Sequence, residues 1–168
     1  MVYKAIDISK YVINHSYDMN FKISNLELQK ILYYIQAAFL VEKNEKCFEE
    51  KILAWEYGPV IREVYDEYKV CGRMRIPRQD ESKKPVFDLK TFAVKLVNVA
   101  LNVNEFDKAI INKIMSAYSN VTNPFELVEK THSEEPWKKG RLTGIISTRD
   151  MKIYYSDNLD KLYNIQER

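Results

Sequence analysis

Leu53-Ala54-Trp55-Glu56-Tyr57-Gly58-Pro59-Val60-Ile61, with Val64, Tyr65 and Tyr68 after it, is the stretch on which the reading of the fold turns. The apolar run around Trp55 and Tyr57 has the composition of a short extended segment. Gly58-Pro59 interrupts it. Proline has no N–H to donate, and its fixed φ suits the first turn of a helix. Val60, Ile61, Val64, Tyr65 and Tyr68 then recur at helical spacing. The sequence therefore predicts an extended segment at 51–57 and, directly after it, a helix over 59–70 closed by Gly72.

Working outward, the upstream chain reads as two helices. One covers 6–18, with Ile6, Val12 and Ile13 facing inward. The other starts at a capping box, Ser24 with Glu27, across which Ile23 and Leu28 can form a hydrophobic staple. Leu28, Ile31, Leu32, Ile35, Ala38 and Phe39 give it a broad apolar face, widened by Leu26, Tyr34, Ala37 and Val41, so this is the expected central helix. Downstream, 73–87 is a polar connection with Pro77 and Pro85. Residues 88–102 are read as a helix on Phe92, Leu96, Val99 and Val103, although Val94, Val97 and Val99 are β-branched. Residues 105–119 form an amphipathic helix with Phe106, Ile110, Ile114 and Ala117 on one face. Asn123-Pro124 opens another helix, and Ser147 caps the last, with Ile146 and Met151 as a staple. The expectation is a mainly α fold: a compact helical domain of about six helices, with a short extended segment near residues 51–57, as one domain over 1–168.

The chain has 168 residues, 46% hydrophobic and 30% charged, with a net charge of +2. That is enough for one well-filled core and too little charge to argue for a nucleic-acid or membrane surface. The start, Met1-Val2-Tyr3-Lys4-Ala5, lacks the apolar core of a signal peptide, and no run approaches a membrane span. Cys47 and Cys71 make neither a disulfide scaffold nor a metal site. The cytoplasm is the expected location.

No catalytic template fits. Glycine is scarce, 4 in the chain, and no phosphate-binding loop is present. No serine sits in a nucleophile elbow. His132 is the most tempting catalyst, but the residues around it favour a structural ring locking a helix end against Trp137. Glu134 and Glu135 read as solvated turn charges. The expectation is no enzyme, no metal and no cofactor.

Three segments carry a family resemblance. They are Ile23-Ser24-Asn25-Leu26-Glu27-Leu28-Gln29-Lys30-Ile31-Leu32-Tyr33-Tyr34, the Trp55 to Tyr68 stretch, and Leu127-Val128-Glu129-Lys130-Thr131-His132-Ser133-Glu134-Glu135-Pro136-Trp137. In that order they resemble the SocA-like antitoxin, or Panacea, domain of bacteria and their phages. The chain departs from the family at Lys130, where a small or apolar residue is frequent, and 73–103 has no counterpart. The resemblance marks Gln29, Lys30, Tyr33, Trp55, Gly58, Pro59, Val60, Thr131, His132, Pro136 and Trp137 as motif positions with structural roles. Trp55 and Trp137, each beside a proline, are expected to be largely buried. The resemblance implies an antitoxin of a type II-like toxin–antitoxin system that neutralises a cognate toxin, encoded next door, by direct binding. Oligomeric state stays open.

The surface expected to meet the partner is the third helix and the connection after it, at Arg62, Tyr65, Tyr68, Arg73 and Arg75. Tyrosine, 12 of 168 residues, suits such a face because it offers apolar area with a polar tip. Lys69, Arg73, Arg75, Arg78, Lys83 and Lys84 form a basic run offset by Asp80 and Glu81. As a phosphate-binding patch it would support the alternative, a prophage-associated DNA-binding accessory protein. No recognition-helix pattern accompanies it, and a solvated loop is the preferred reading.

Overall fold

Ser24 does what the capping box requires. Its hydroxyl accepts from the Glu27 N–H, and the Glu27 carboxylate accepts from the Ser24 N–H at 2.7 Å. The helix that follows, α2 (Asn25–Glu42), is the centre of the computed structural model, which describes residues 2–79, 82–99 and 103–164. Every residue from Leu28 to Leu40 is buried. α1 (Ala5–Asp18), α4 (Glu105–Tyr118), α5 (Pro124–Ser133) and α7 (Thr148–Asp157) pack around it. α3 (Arg62–Tyr68), α6 (Glu135–Thr143) and α8 (Leu159–Tyr163) complete the eight α-helices among the described residues. The architecture is mainly α with short strands, as expected. Asn123 and Ser147 cap α5 and α7 through their side chains, with Pro124 in the first turn of α5. On α4, Ile110 and Ile114 are buried, but Phe106 is 62% exposed and lies off the buried face.

The expected extended-to-helix turn at Gly58 is instead a hairpin. β1 (Ile52–Trp55) pairs antiparallel with β2 (Gly58–Ile61), Trp55 opposite Gly58, and Glu56-Tyr57 makes the turn. β5 (Ile145–Ile146) pairs with the other side of β1. Pro59 thus lies in an edge strand, where a missing N–H is tolerated, and the helix starts only at Arg62. A short 3₁₀ turn over Lys69–Cys71 follows. Gly140 brings α6 onto this sheet: a Cβ there would lie 2.8 Å from Ile146 Cγ1 and 3.2 Å from Ala54 Cβ.

The helix expected over 88–102 is also corrected. β3 (Ser82–Asp88) and β4 (Ala93–Val99) form a second antiparallel hairpin, which takes up the end of the expected 73–87 connection as well. The β-branched valines prevail over the helical spacing. At its tip, Phe87, Leu89, Phe92 and Val94 are exposed, and Phe92 holds a positive φ of 50°. Asp80 and Glu81 lie outside the described residues.

Beneath these elements is a buried polar cluster. Glu134, between α5 and α6, is 1% exposed, so it is not the solvated charge the sequence suggests. Its Oε2 accepts from Tyr155 Oη at 2.6 Å and Tyr34 Oη at 3.0 Å, and Lys130 Nζ lies 3.3 Å from Oε1. Tyr155 also bonds Tyr33 at 3.2 Å. Burial pushes the Glu134 carboxyl above its usual range, while Lys130 and the two hydroxyls pull it down. Burial likewise raises Tyr33, Tyr34, Tyr118 and Tyr155, so their hydroxyls stay protonated donors.

Replacing Glu134 with Ala leaves two hydroxyls and an ammonium without their acceptor. The expected cost is roughly 3–5 kcal/mol, the range for breaking a buried pair from one side. The double variant Glu134→Gln with Lys130→Met removes both charges and should recover most of that loss in urea denaturation. A single Ala variant as stable as the parent would show that the cluster contributes nothing.

Candidate functional site

The site begins at the outer edge of β2. In a two-residue hairpin the backbone groups of alternate residues point away from the partner strand, here those of Pro59 and Ile61. α2 satisfies both. Gln29 Oε1 accepts from the Ile61 N–H at 2.8 Å, and Lys30 Nζ donates to the Pro59 carbonyl at 3.3 Å. The adjacent Gln29-Lys30 pair therefore closes the sheet edge, an arrangement that periodicity alone does not reveal.

Gly58 makes this contact possible. Its φ is +101°, and a Cβ would stand 2.6 Å from Lys30 Cε and 2.9 Å from Thr131 Oγ1. Thr131 is itself buried and donates to the Val128 carbonyl at 2.9 Å. Val60 is buried beside them, and Tyr33 sits one turn further along α2 in the tyrosine–glutamate cluster.

The third motif segment braces the hairpin from the other side. His132 stacks on Trp137 with ring centroids 3.9 Å apart and lies against the Glu56 backbone. Burial holds its pKa below the usual histidine value. Trp137 Nε1 donates to the Trp55 carbonyl at 3.2 Å, and Arg141 donates to the Ala54 carbonyl at 2.9 Å. Pro136 is buried in the first turn of α6. Trp55 and Trp137 each keep a partly exposed edge on this surface, and Trp137 also packs against the hydrophobic core.

Between these parts lies a cleft of about 510 Å³. Leu26, Trp55, Tyr57 and Tyr65 form its apolar walls, Lys30 lies in its floor, and Arg141 and Glu56 stand at its rim. Trp55 meets Tyr65 edge-on at 5.0 Å, and Arg62 lies over the outer face of Trp55 at 5.6 Å. Lys30 is the unusual group: it is 0% exposed, and burial lowers its ammonium pKa to about 7.

Of the positions expected to face a partner, Tyr65 lines the cleft, Arg62 is exposed over the Trp55 ring, and Arg73 is exposed next to the lining residue Gly72. Tyr68 does not belong to that surface; it is 4% exposed, with its hydroxyl near Ser9 and Gln79. Arg75 is held inward, its guanidinium 3.4 Å from the Tyr17 ring centroid and bonded to the Phe21 carbonyl. Sequence reasoning missed Glu134, Arg141 and the exposed apolar tip of β3–β4. Glu134 carried a faint signal, a carboxylate four residues after Lys130 on a helix.

Fold and cleft together define a mainly helical domain with a preformed aromatic recess on one side. The chain belongs to the SocA-like antitoxin family, Panacea domain, which matches residues 28–138. It is also similar to Antitoxin SocA of Caulobacter vibrioides (strain NA1000 / CB15N), 34% identical over 65 residues. That alignment covers 39% of this chain and 35% of the relative's length. No solved structure matches the chain. Among the described residues, no helix is long and apolar enough to cross a membrane, and no group of three His, Cys, Asp or Glu is placed to hold a metal ion.

Two predictions follow from the geometry around Lys30. Gly58→Ala should destabilise the protein by roughly 1–3 kcal/mol from the positive φ alone, and more from the clash with Lys30, as read by thermal melting. The lysine itself should give a pH signature. The unfolded amine titrates near 10.5 and the folded one near 7, so between those values the unfolded chain binds more protons. The cost of burying Lys30 is full below about pH 7 and fades as pH rises towards 10.5. Lys30→Met removes that titration. Its stability relative to the parent should be highest at or below pH 7 and decline as pH is raised, measured by urea midpoints. A difference independent of pH would mean the amine is not perturbed.

Proposed function

We propose that this protein is the antitoxin of a type II-like toxin–antitoxin system, acting in the cytoplasm, that neutralises a cognate toxin encoded next door by direct contact and without chemistry of its own. The observation that carries this reading is membership of the SocA-like antitoxin family over 28–138. The geometry supports it, because the first two motif segments line one cleft, the third braces its hairpin through Trp137, and exposed aromatic and cationic groups stand beside it. The apolar tip of β3–β4 offers a second surface of the kind that marks protein contacts.

The basic run favours a protein partner over DNA. Lys69 pairs with Asp66 at 2.9 Å, Arg75 is anchored at Tyr17 and Phe21, and Arg78 pairs with Asp18. Charges engaged in this way are poorly placed to track a phosphate backbone.

Charge reversal at Arg62 and Arg73 together should weaken rescue from the toxin while shifting the melting temperature little, because exposed charges contribute little to folding. The readout is growth when the neighbouring gene is expressed alone and with this protein, backed by co-purification. A neighbour harmless on its own, or one rescued without a physical complex, would overturn the binding reading.

A further inference from the structure

The cleft has an electrostatic asymmetry. Lys30 is buried in its floor, and its ammonium is met by a single peptide carbonyl, that of Pro59. Among the described residues no carboxylate forms an ion pair with Lys30, Arg62 or Arg141. The other buried charge near the motif segments, Glu134, has both a cation and hydroxyl donors within the fold. A buried ammonium without a counter-charge is costly, and a carboxylate brought to it gains more than one brought to a solvated lysine. Glu56 is the one acidic side chain lining the cleft, on the exposed hairpin turn, against Lys30 in the floor, Arg141 at the rim and Arg62 over the Trp55 face. The walls are aromatic, which suits an apolar neighbour of the incoming acid.

We propose that this cleft receives an Asp or Glu side chain of the protein partner, its carboxylate meeting the exposed Arg141 above the buried charge of Lys30 and an adjacent apolar residue packing against Trp55, Tyr57 and Tyr65. This deepens the toxin-binding reading and rests on it for the partner's identity. It also gives Lys30 a second role. The residue that seals the β2 edge also sets the chemical preference of the recess beside it.

The test is selection of displayed random linear peptides on the purified full-length protein, in parallel with its Lys30→Met and Arg141→Gln variants. The expected result is enrichment of peptides with Asp or Glu beside an aromatic or aliphatic residue. A synthetic representative should change the tryptophan fluorescence on binding and lose at least about tenfold in affinity on either variant. Replacing its acidic residue with the matching amide should cost as much. If Lys30→Met fails to fold, Arg141→Gln and the amide peptide carry the comparison. Enrichment of neutral or basic peptides, acidic peptides that bind both variants as well as the parent, no enrichment at all, or retention of an oligonucleotide in place of acidic peptides would each overturn the proposal. No toxin enters this selection. A failed acidic preference therefore leaves the toxin-binding reading to the co-expression result, and a harmless neighbour leaves the peptide result standing.

Discussion

Complete burial of one helix constrains the rest of the molecule. From Leu28 to Leu40 α2 has no face left to solvent, so each polar side chain on it must be satisfied by protein. Gln29 is spent on the Ile61 amide, Lys30 on the Pro59 carbonyl, and Gln36 on the backbone of Cys47 and Phe48. Tyr34 is bonded to Glu134 and Tyr33 to Tyr155. These bonds reach β2, the Cys47–Phe48 segment, Glu134 and α7, and fix register where apolar contact alone would allow slippage.

Two of the buried charges, Glu134 and Lys30, are handled differently. Glu134 is neutralised locally by Lys130 and by tyrosine hydroxyls that burial keeps protonated. Lys30 has only a carbonyl dipole, and its ammonium is correspondingly easy to deprotonate. One charge closes the core, whereas the other lies at the boundary between core and cleft.

That boundary depends on a short hairpin seated on three supports. α2 seals its outer edge, α6 reaches its inner strand through Arg141 and Trp137, and His132 lies against its turn. Most of these supports come from the first and third motif segments, and the hairpin carries the second, so a motif residue can be structural and still shape the recess. Gly58 shows why: it leaves room for the lysine and has the φ that a tight turn needs.

Much of this was legible in the sequence because it is local. Capping by Ser24, Asn123 and Ser147, the apolar periodicity of α2 and α4, and the three ordered motifs each rest on residues close together in the chain. The family, and with it the mainly α class, followed from those strings. Tertiary structure alone decided the rest. Gly58-Pro59 suits a helix start equally well, and only an edge position beside Gln29 and Lys30 makes it a strand. Residues 93–99 carry helical spacing and β-branched side chains at once, and pairing with 82–88 resolved the conflict. Glu134 reads as a surface charge until Tyr34, 100 residues away, meets it in the core. Sequence records which groups a segment can offer, but burial and partnership are set by what the folded chain brings against them from a distance.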